Sequence, residues 1–294
     1  MERLLIIDGH AYAYRAFHAI RELSSPSGRP TNAIYGFIKM VAKLRSNIAP
    51  SHCIVVWDGG LSAKRLAALP GYKAQRPEMP ELLRPQLDEI TEYLDAARIA
   101  SYCRDGIEAD DAIACIAWRA EEMEWATVIA SSDKDFMQLV SPRVGLFNPH
   151  DKTEAIWAAE QVRAKTGVEP EQIVDWLSLI GDSVDNIPGV PGIGPKTATD
   201  LLKQFGSVEE LFKRLDEVKS IRVRDALLAA KEAVLRNCEL VRLHEVSCEF
   251  SAGEMAVKPP DTARLAGLYE RWGFRTLLAA VKESALSDGQ PLLI

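Results

Sequence analysis

Apolar residues fall along this chain in two rhythms. Three runs are short, unbroken and rich in β-branched residues: LLII at 4–7, CIVVW at 53–57 and ATVIA at 126–130. Each is closed by a turn-forming stretch: Asp8-Gly9, Asp58-Gly59-Gly60 and Ser131-Ser132-Asp133. Runs of this kind predict strands covered on both faces. Between them, Ala33–Arg45, Pro80–Ala97 and Ala109–Met123 carry apolar residues at helical spacing. Strand alternating with helix predicts an α/β unit, a mainly parallel sheet flanked by helices.

From about residue 168 the strand signal nearly vanishes. Glu169–Ile180 reads as a helix stopped by Gly181, and a Gly/Pro-rich stretch, Asn186–Pro195, follows. Lys196–Phe205, Val208–Leu215, Arg222–Leu243 and Thr262–Trp272 read as further helices, and GFRTLL follows the last of them. The expectation is an α/β domain over 1–166, an all-helical domain over 167–280 and a loose tail over 281–294. No internal repeat or low-complexity tract interrupts this plan.

Composition narrows the picture only slightly. The 294 residues are 47% hydrophobic and 26% charged, which is ordinary for a globular protein. No apolar run is long enough to span a bilayer, and MERLLIIDGH does not read as a signal peptide. The five cysteines (Cys53, Cys103, Cys115, Cys238, Cys248) are scattered and form no CxxC pair, which suits reduced thiols in a cytoplasm. The net charge of −7 argues against a nucleic-acid partner until one asks where the acids sit.

They sit at the ends of elements. The three expected strands lead into Asp8, Asp58 and Asp133, on the edge where parallel sheets gather their functional groups. Glu108, Asp110 and Asp111 open a helix, where acids also serve simply to oppose the helix dipole. By spacing, Glu108 and Asp111 share a face and Asp110 points elsewhere. Asp135 doubles as a candidate N-cap for Phe136–Val140. Asp182 and Asp185 lie just past a helix C-terminus, the wrong end for anions, so their structural explanation is poorer. If these carboxylates converge, two of them about 4 Å apart repel by roughly 4 kcal/mol at an effective dielectric near 20. Either their pKa values rise or cations sit among them. Oxygen-only ligands favour Mg²⁺ or Mn²⁺ over zinc. Two such ions would suit in-line hydrolysis of a phosphodiester, one activating water and one stabilising the leaving oxygen.

Residues 187–202, IPGVPGIGPKTATDLL, look like a helix-hairpin-helix element. Gly192, Ile193 and Gly194 precede Pro195 at the first helical position, and backbone N–H groups there can face a phosphate. Lys196 and Thr197 would add side-chain contacts that position a duplex without reading its sequence. Lys64, Arg65, Lys73, Arg76 and Arg84 form a basic stretch between Asp58 and Glu108, either a solvated face or a clamp for phosphates. Tyr14 could stack on a base or pack in the core, and Arg15 could hold a phosphate.

These residues bring a family into view. IIDGHAYAYRAFHA, VVWDG, GYKAQRPEMP, GIEADDAIA, SSDKDFMQLV and LIGDSVDNIPGVPGIGPKTATDLL occur in this order from Met1 to about residue 280. The series resembles the 5′ nuclease family, which includes the 5′→3′ exonuclease domain of bacterial DNA polymerase I and the phage and eukaryotic flap endonucleases. The resemblance implies a PIN-like domain, an arch over about 60–98, and a helical domain built on a helix-three-turn-helix. It implies two Mg²⁺ ions, which Mn²⁺ could replace. Asp8, Asp58, Glu108, Asp110, Asp111 and Asp133 would chiefly serve the first, and Asp135, Asp182 and Asp185 the second, some through water. Lys73 and Arg76 would contact the scissile phosphate, Tyr14 would stack on the terminal unpaired base, and Arg15 would sit by the phosphate. The hairpin around Gly192–Gly194 would hold K⁺ against duplex phosphate. Arg65 keeps its family place, although LSAKRLAAL at 61–69 is poorer in aromatic residues than usual. The implied protein is a monomeric enzyme cutting DNA at a 5′ flap or other single-strand/duplex junction. The other readings are a non-catalytic junction-binding protein and a PIN-type ribonuclease.

Overall fold

A computed structural model describes residues 2–286. The first half alternates as the patterning predicts: β1 (Arg3–Asp8), α1 (Gly9–Ala19), α2 (Asn32–Ile48), β2 (His52–Val56), α3 (Ala63–Ala68), α4 (Arg84–Ala96), β3 (Ala100–Tyr102), α5 (Ala109–Glu122) and β4 (Ala126–Ala130). A 3₁₀ turn (Lys134–Leu139), β5 (Val144–Phe147), β6 (Ile156–Trp157) and α6 (Ala159–Thr166) follow. Six strands form one sheet in the order β3-β2-β1-β4-β5-β6. Every pairing in it is parallel except β5 with β6.

The three apolar runs are the central strands. Leu4 and Ile6 face one core with Ile54, Val56 and α5, while Leu5 and Ile7 face the other with Cys53, Val55, α1, α2 and α4. The period of two thus serves two hydrophobic layers at once. The three outer strands escaped the sequence reading because they are short: β3 has three residues and β6 two. α4 starts later than the spacing suggests. Pro80 and Pro85 restrict the backbone there, and Pro85 lies in the first turn.

The second half is helical: α7 (Ile173–Ile180), α8 (Pro195–Phe205), α9 (Val208–Lys213), α10 (Ile221–Val241), α11 (Ala252–Met255), α12 (Thr262–Trp272) and α13 (Arg275–Leu286). A short 3₁₀ turn at Pro170–Gln172 precedes α7, where one continuous helix was expected. α7, α8 and α10 extend the core on the α5 side of the sheet. α12 and α13 go elsewhere. Leu265, Tyr269, Trp272, Phe274 and Leu277 join the α1–α2–α4 layer, and Tyr35 meets Phe274 edge-on at 5.1 Å. The expected helical domain over 167–280 therefore gives its last helices back to the sheet domain. Of the expected tail, 281–286 belongs to α13, and 287–294 lie outside the described residues.

Candidate active site

Parallel pairing sets the site. Asp8 pairs with Val56 and Ile7 with Ala130, so β1, β2 and β4 all end at one edge of the sheet. Asp8, Asp58 and the Ser131–Asp133 turn emerge there together. They line a cleft of about 450 Å³ with His10, Tyr14, Lys73, Arg76, Asp110, Lys134, Asp182 and Asp185.

Each acid is held by local structure. Asp8 caps α1: one carboxylate oxygen accepts the Ala11 N–H at 3.1 Å and the other the Ser131 hydroxyl at 2.8 Å. Gly9 follows because a Cβ there would stand 2.6 Å from the Trp57 ring. Asp133 caps the 3₁₀ turn by accepting the Asp135 N–H at 2.9 Å. The cap is thus Asp133, not Asp135 as the spacing suggested. One Asp135 oxygen, Oδ1, is buried with no hydrogen-bond partner among the described residues. Asp182 and Asp185 arrive from the helical half. α7 stops at Gly181, whose φ is +76°, and a two-residue ladder pairs Gly181–Asp182 with Ile187–Pro188. Asp182 accepts the Val184 N–H at 2.9 Å across the intervening turn.

The first turn of α5 differs from the spacing argument. Asp110, off the face of Glu108 and Asp111 and so required to reach by rotamer or from an irregular first turn, lines the cleft. Glu108 and Asp111 do share a surface, but cations occupy it. Arg65 forms a two-pronged bridge to Asp111 at 2.7 and 2.8 Å, and its NH1 lies 3.1 Å from Glu108. Glu108 also accepts the Ser62 N–H at 2.9 Å, the Tyr72 hydroxyl at 3.2 Å and the Lys73 ammonium. Neither Glu108 nor Asp111 lines the cleft: both stand behind it in this structure, paired with Arg65 and Lys73. Arg65, expected at DNA, is 3% exposed and donates to the carbonyls of Leu240 and Arg242, tying α3 to the end of α10.

The other expected residues separate in the same way. Lys73 lines the cleft in a left-handed backbone conformation (φ +55°), its ammonium 3.4 Å from Asp110 and its N–H donating to the Asp185 carbonyl at 3.0 Å. Arg76 reaches Asp185 at 2.6 Å. Tyr14 is at the cleft, half-buried. Arg15, one residue on and so about 100° around α1, faces away and lies 2.7 Å from His150 beside Lys43 and Phe147. In the hairpin, Gly192 has φ +81°, Ile193 is buried, and Gly194 and Lys196 are exposed, with Thr197 half-exposed.

Sequence reasoning missed several residues in the cleft, among them His10, Ser131 and Lys134. Lys134 lies 3.2 Å from Asp182 and links the two halves. Its place between Asp133 and Asp135 was the available signal. His10 and Ser131 act through hydrogen bonds to neighbouring strand ends, which no spacing shows.

The electrostatics are those of crowded acids. Burial, then the charge of Asp110, pushes the Asp8 carboxyl up to about 6. The same causes push Asp133 to about 7. Asp135 is driven well above the ordinary aspartate range by burial, then by Asp133 and Asp110. Burial also raises Asp110, against the pull of Lys73. Glu108 goes the other way: burial would raise it, but Lys73 and Arg65 together hold it low. Burial lowers the His10 imidazole, against Asp58.

Such a set fits divalent cations. Asp135, Asp182 and Asp185 can each present an oxygen within 4.8 Å of the others. The orphaned Asp135 oxygen is the kind of atom an ion would satisfy, and an all-oxygen set suits a hard cation.

Known proteins resemble the chain along its whole length. A family model described as the 5′-3′ exonuclease N-terminal resolvase-like domain matches residues 3–167, and one described as the 5′-3′ exonuclease C-terminal SAM fold matches 168–263. A 5′-3′ exonuclease of Aquifex aeolicus is 38% identical over 96% of this chain and 96% of its own. DNA polymerase I of Bacillus caldotenax is 37% identical over 99% of this chain, which spans 34% of that protein. Among solved structures, the bacteriophage T5 flap endonuclease in a pseudo-enzyme–product complex with DNA and metal ions shares the fold. Its TM-score is 0.67 at 22% identity, with 97% of this chain and 100% of that one covered.

Proposed function

The chain belongs to the 5′-3′ exonuclease family, and on that premise we propose that it hydrolyses DNA phosphodiester bonds near single-strand/duplex junctions. The reading covers 5′ flaps as well as 5′ ends, and leaves a 5′ phosphate and a 3′ hydroxyl. The observation that carries it is the convergence of carboxylates from both halves of the chain on one cleft, with a buried Asp135 oxygen lacking any partner among the described residues. Structural stabilisation alone does not account for so many repelling acids.

Asp8, Asp58, Asp110 and Asp133 are proposed to hold one Mg²⁺, and Asp135, Asp182 and Asp185 the second, with Mn²⁺ an accepted replacement. When bound, the ions would lower the pKa of the attacking water and offset charge on the leaving oxygen. The protein's own groups do the rest. Asp8 and Asp133 are locked by their caps, so their oxygens need no reorganisation. Arg76, exposed at the cleft, offers a guanidinium to the scissile phosphate. Lys73 adds positive charge from below, held there by Glu108. Tyr14, at the cleft wall, would stack on an unpaired base. The exposed hairpin at Gly192–Gly194, with Lys196 and Thr197, would seat duplex phosphate, with K⁺ as a bridging ion.

Labelled 5′-flap DNA, blunt duplex and a matched RNA, each incubated with Mg²⁺ or with chelator, test the reading. Cleavage of the flap DNA near the junction, only with metal, is expected. Cleavage of RNA alone would favour a ribonuclease, and metal-independent or absent cleavage of every substrate would overturn the enzyme reading.

A further inference from the structure

His10 lies in the first turn of α1, two residues beyond Asp8, and has no part in the proposed function above. Its ring stands edge-on to Trp57 at a centroid distance of 5.4 Å and borders the cleft. Its Nδ1 accepts the backbone N–H of Asp58 at 3.2 Å. Accepting there fixes the neutral tautomer with the proton on Nε2. This is the hydrogen bond by which α1 holds the end of β2. Asp58 itself makes few other ties. Among the described residues its carboxylate accepts a long 3.3 Å contact from the Gly60 N–H, and its carbonyl a 3.8 Å contact from the Cys103 thiol. Two glycines follow it, Gly59 and Gly60, and Gly60 sits at φ +119°. The Gly59 N–H donates to the Ile107 carbonyl at 3.0 Å and the Gly59 carbonyl accepts the Gly106 N–H at 2.8 Å, which fastens the segment on the side away from α1 and leaves the His10 bond as its tie to α1.

We propose that His10 is a positioning residue for metal binding: by accepting the Asp58 N–H it sets the separation of the Asp8 and Asp58 carboxylates across the cleft. Asp8 is fixed on α1 through Ala11, and His10 stands on the same turn. The bond to Asp58 therefore references the second carboxylate to the helix that carries the first. Gly9 lets this turn approach Trp57, and the Trp57 indole N–H in turn donates to the Ser101 hydroxyl at 2.9 Å, which steadies the wall against which His10 rests. Groups behind carboxylate ligands commonly change metal affinity about 10–100-fold when removed.

The inference rests on the metal-site reading above, and three substitutions separate the two. His10→Asn keeps an acceptor near the Nδ1 position, His10→Gln offers one only near Nε2, and His10→Phe keeps the ring without an acceptor. Calorimetric titration with Ca²⁺ measures binding without turnover, and the Mg²⁺ concentration for half-maximal flap cleavage measures it in the working enzyme. His10→Phe and His10→Gln are expected to raise both midpoints about 10–100-fold, with the rate at saturating Mg²⁺ within about threefold of the parent. His10→Asn is expected to stay within about threefold in both. Equal Ca²⁺ affinity in the parent and in a folded His10→Phe protein overturns the proposal, as does a folded His10→Asn protein as weakened as His10→Phe. If the parent binds Ca²⁺ but cleaves nothing, the nuclease reading fails while the calorimetry still decides the role of His10.

Discussion

At the scale of the residue, the same carboxylate pays differently according to its neighbours. Asp133 is crowded by other acids and strained in its charged form, whereas Asp111 is matched oxygen for nitrogen by Arg65. Opposite outcomes follow. Asp133→Asn should raise the stability of the metal-free protein, by on the order of 1–3 kcal/mol at neutral pH, because a repelling charge is removed. It should also abolish metal-dependent cleavage while leaving junction binding in Ca²⁺ largely intact. Urea unfolding with chelator, cleavage assays and a gel-shift titration check the three parts; lost binding with preserved turnover contradicts the assignment. Arg65→Met should lower stability by about 3–5 kcal/mol, since Asp111 is left buried and unpaired. Adding Asp111→Leu should recover much of that loss in the same urea experiment, because the unpaired charge goes with it.

At the scale of the element, the site depends on how a helix stops. α7 ends at Gly181, where a Cβ would lie 2.3 Å from the Gly189 nitrogen and 2.6 Å from the Ile187 carbonyl oxygen. These are backbone atoms and cannot turn aside. The backbone at φ +76° and ψ 177°, a region almost confined to glycine, adds a further roughly 1–3 kcal/mol for any side chain. Gly181→Ala should therefore force open the small ladder that delivers Asp182 and Asp185. A thermal melt and a Ca²⁺ titration should show a less stable protein that binds metal at least about tenfold more weakly. Unchanged metal affinity would mean that the ladder does not hold the acids. The same scale explains what the sequence hid in α5. Helical spacing says which residues share a face, but not which face meets the cleft. Asp110 lies off the face that Glu108 and Asp111 share and still reaches the cleft, while Arg65 and Lys73 claim the surface of those two.

At the scale of the whole molecule, two halves meet across an acidic seam. Asp8, Asp110 and Asp133 come from the sheet domain, and Asp182 and Asp185 from the helical one. The raised carboxyls tie fold stability to pH. Between the ordinary aspartate value of 3.8 and about 6 for Asp8 or about 7 for Asp133, the folded state binds more protons than the unfolded state. Stability must then fall as pH rises through that window. The metal-free protein should melt at a lower temperature at pH 8 than at pH 5, by on the order of 5 °C. Mg²⁺ should return most of the loss, and more at pH 8 than at pH 5, since it binds the ionised acids. Calorimetric scans with chelator and with Mg²⁺ measure this; a melting temperature that rises from pH 5 to pH 8 without metal contradicts the crowding argument.

The sequence alone determined the three central strands, most of the helices, and the acids that matter at strand ends, because patterning and turn residues are local. It also carried the family resemblance through ordered motifs. Tertiary structure decided what depends on contacts between distant segments. Arg65 became an internal tie, not a DNA contact, because α10 ends over it. Arg15 left the cleft because α1 turns by about 100° between neighbours. α12 and α13 returned to the sheet because Tyr269, Trp272 and Phe274 complete its second hydrophobic layer. His10 came into view only once the ends of β1 and β2 lay side by side.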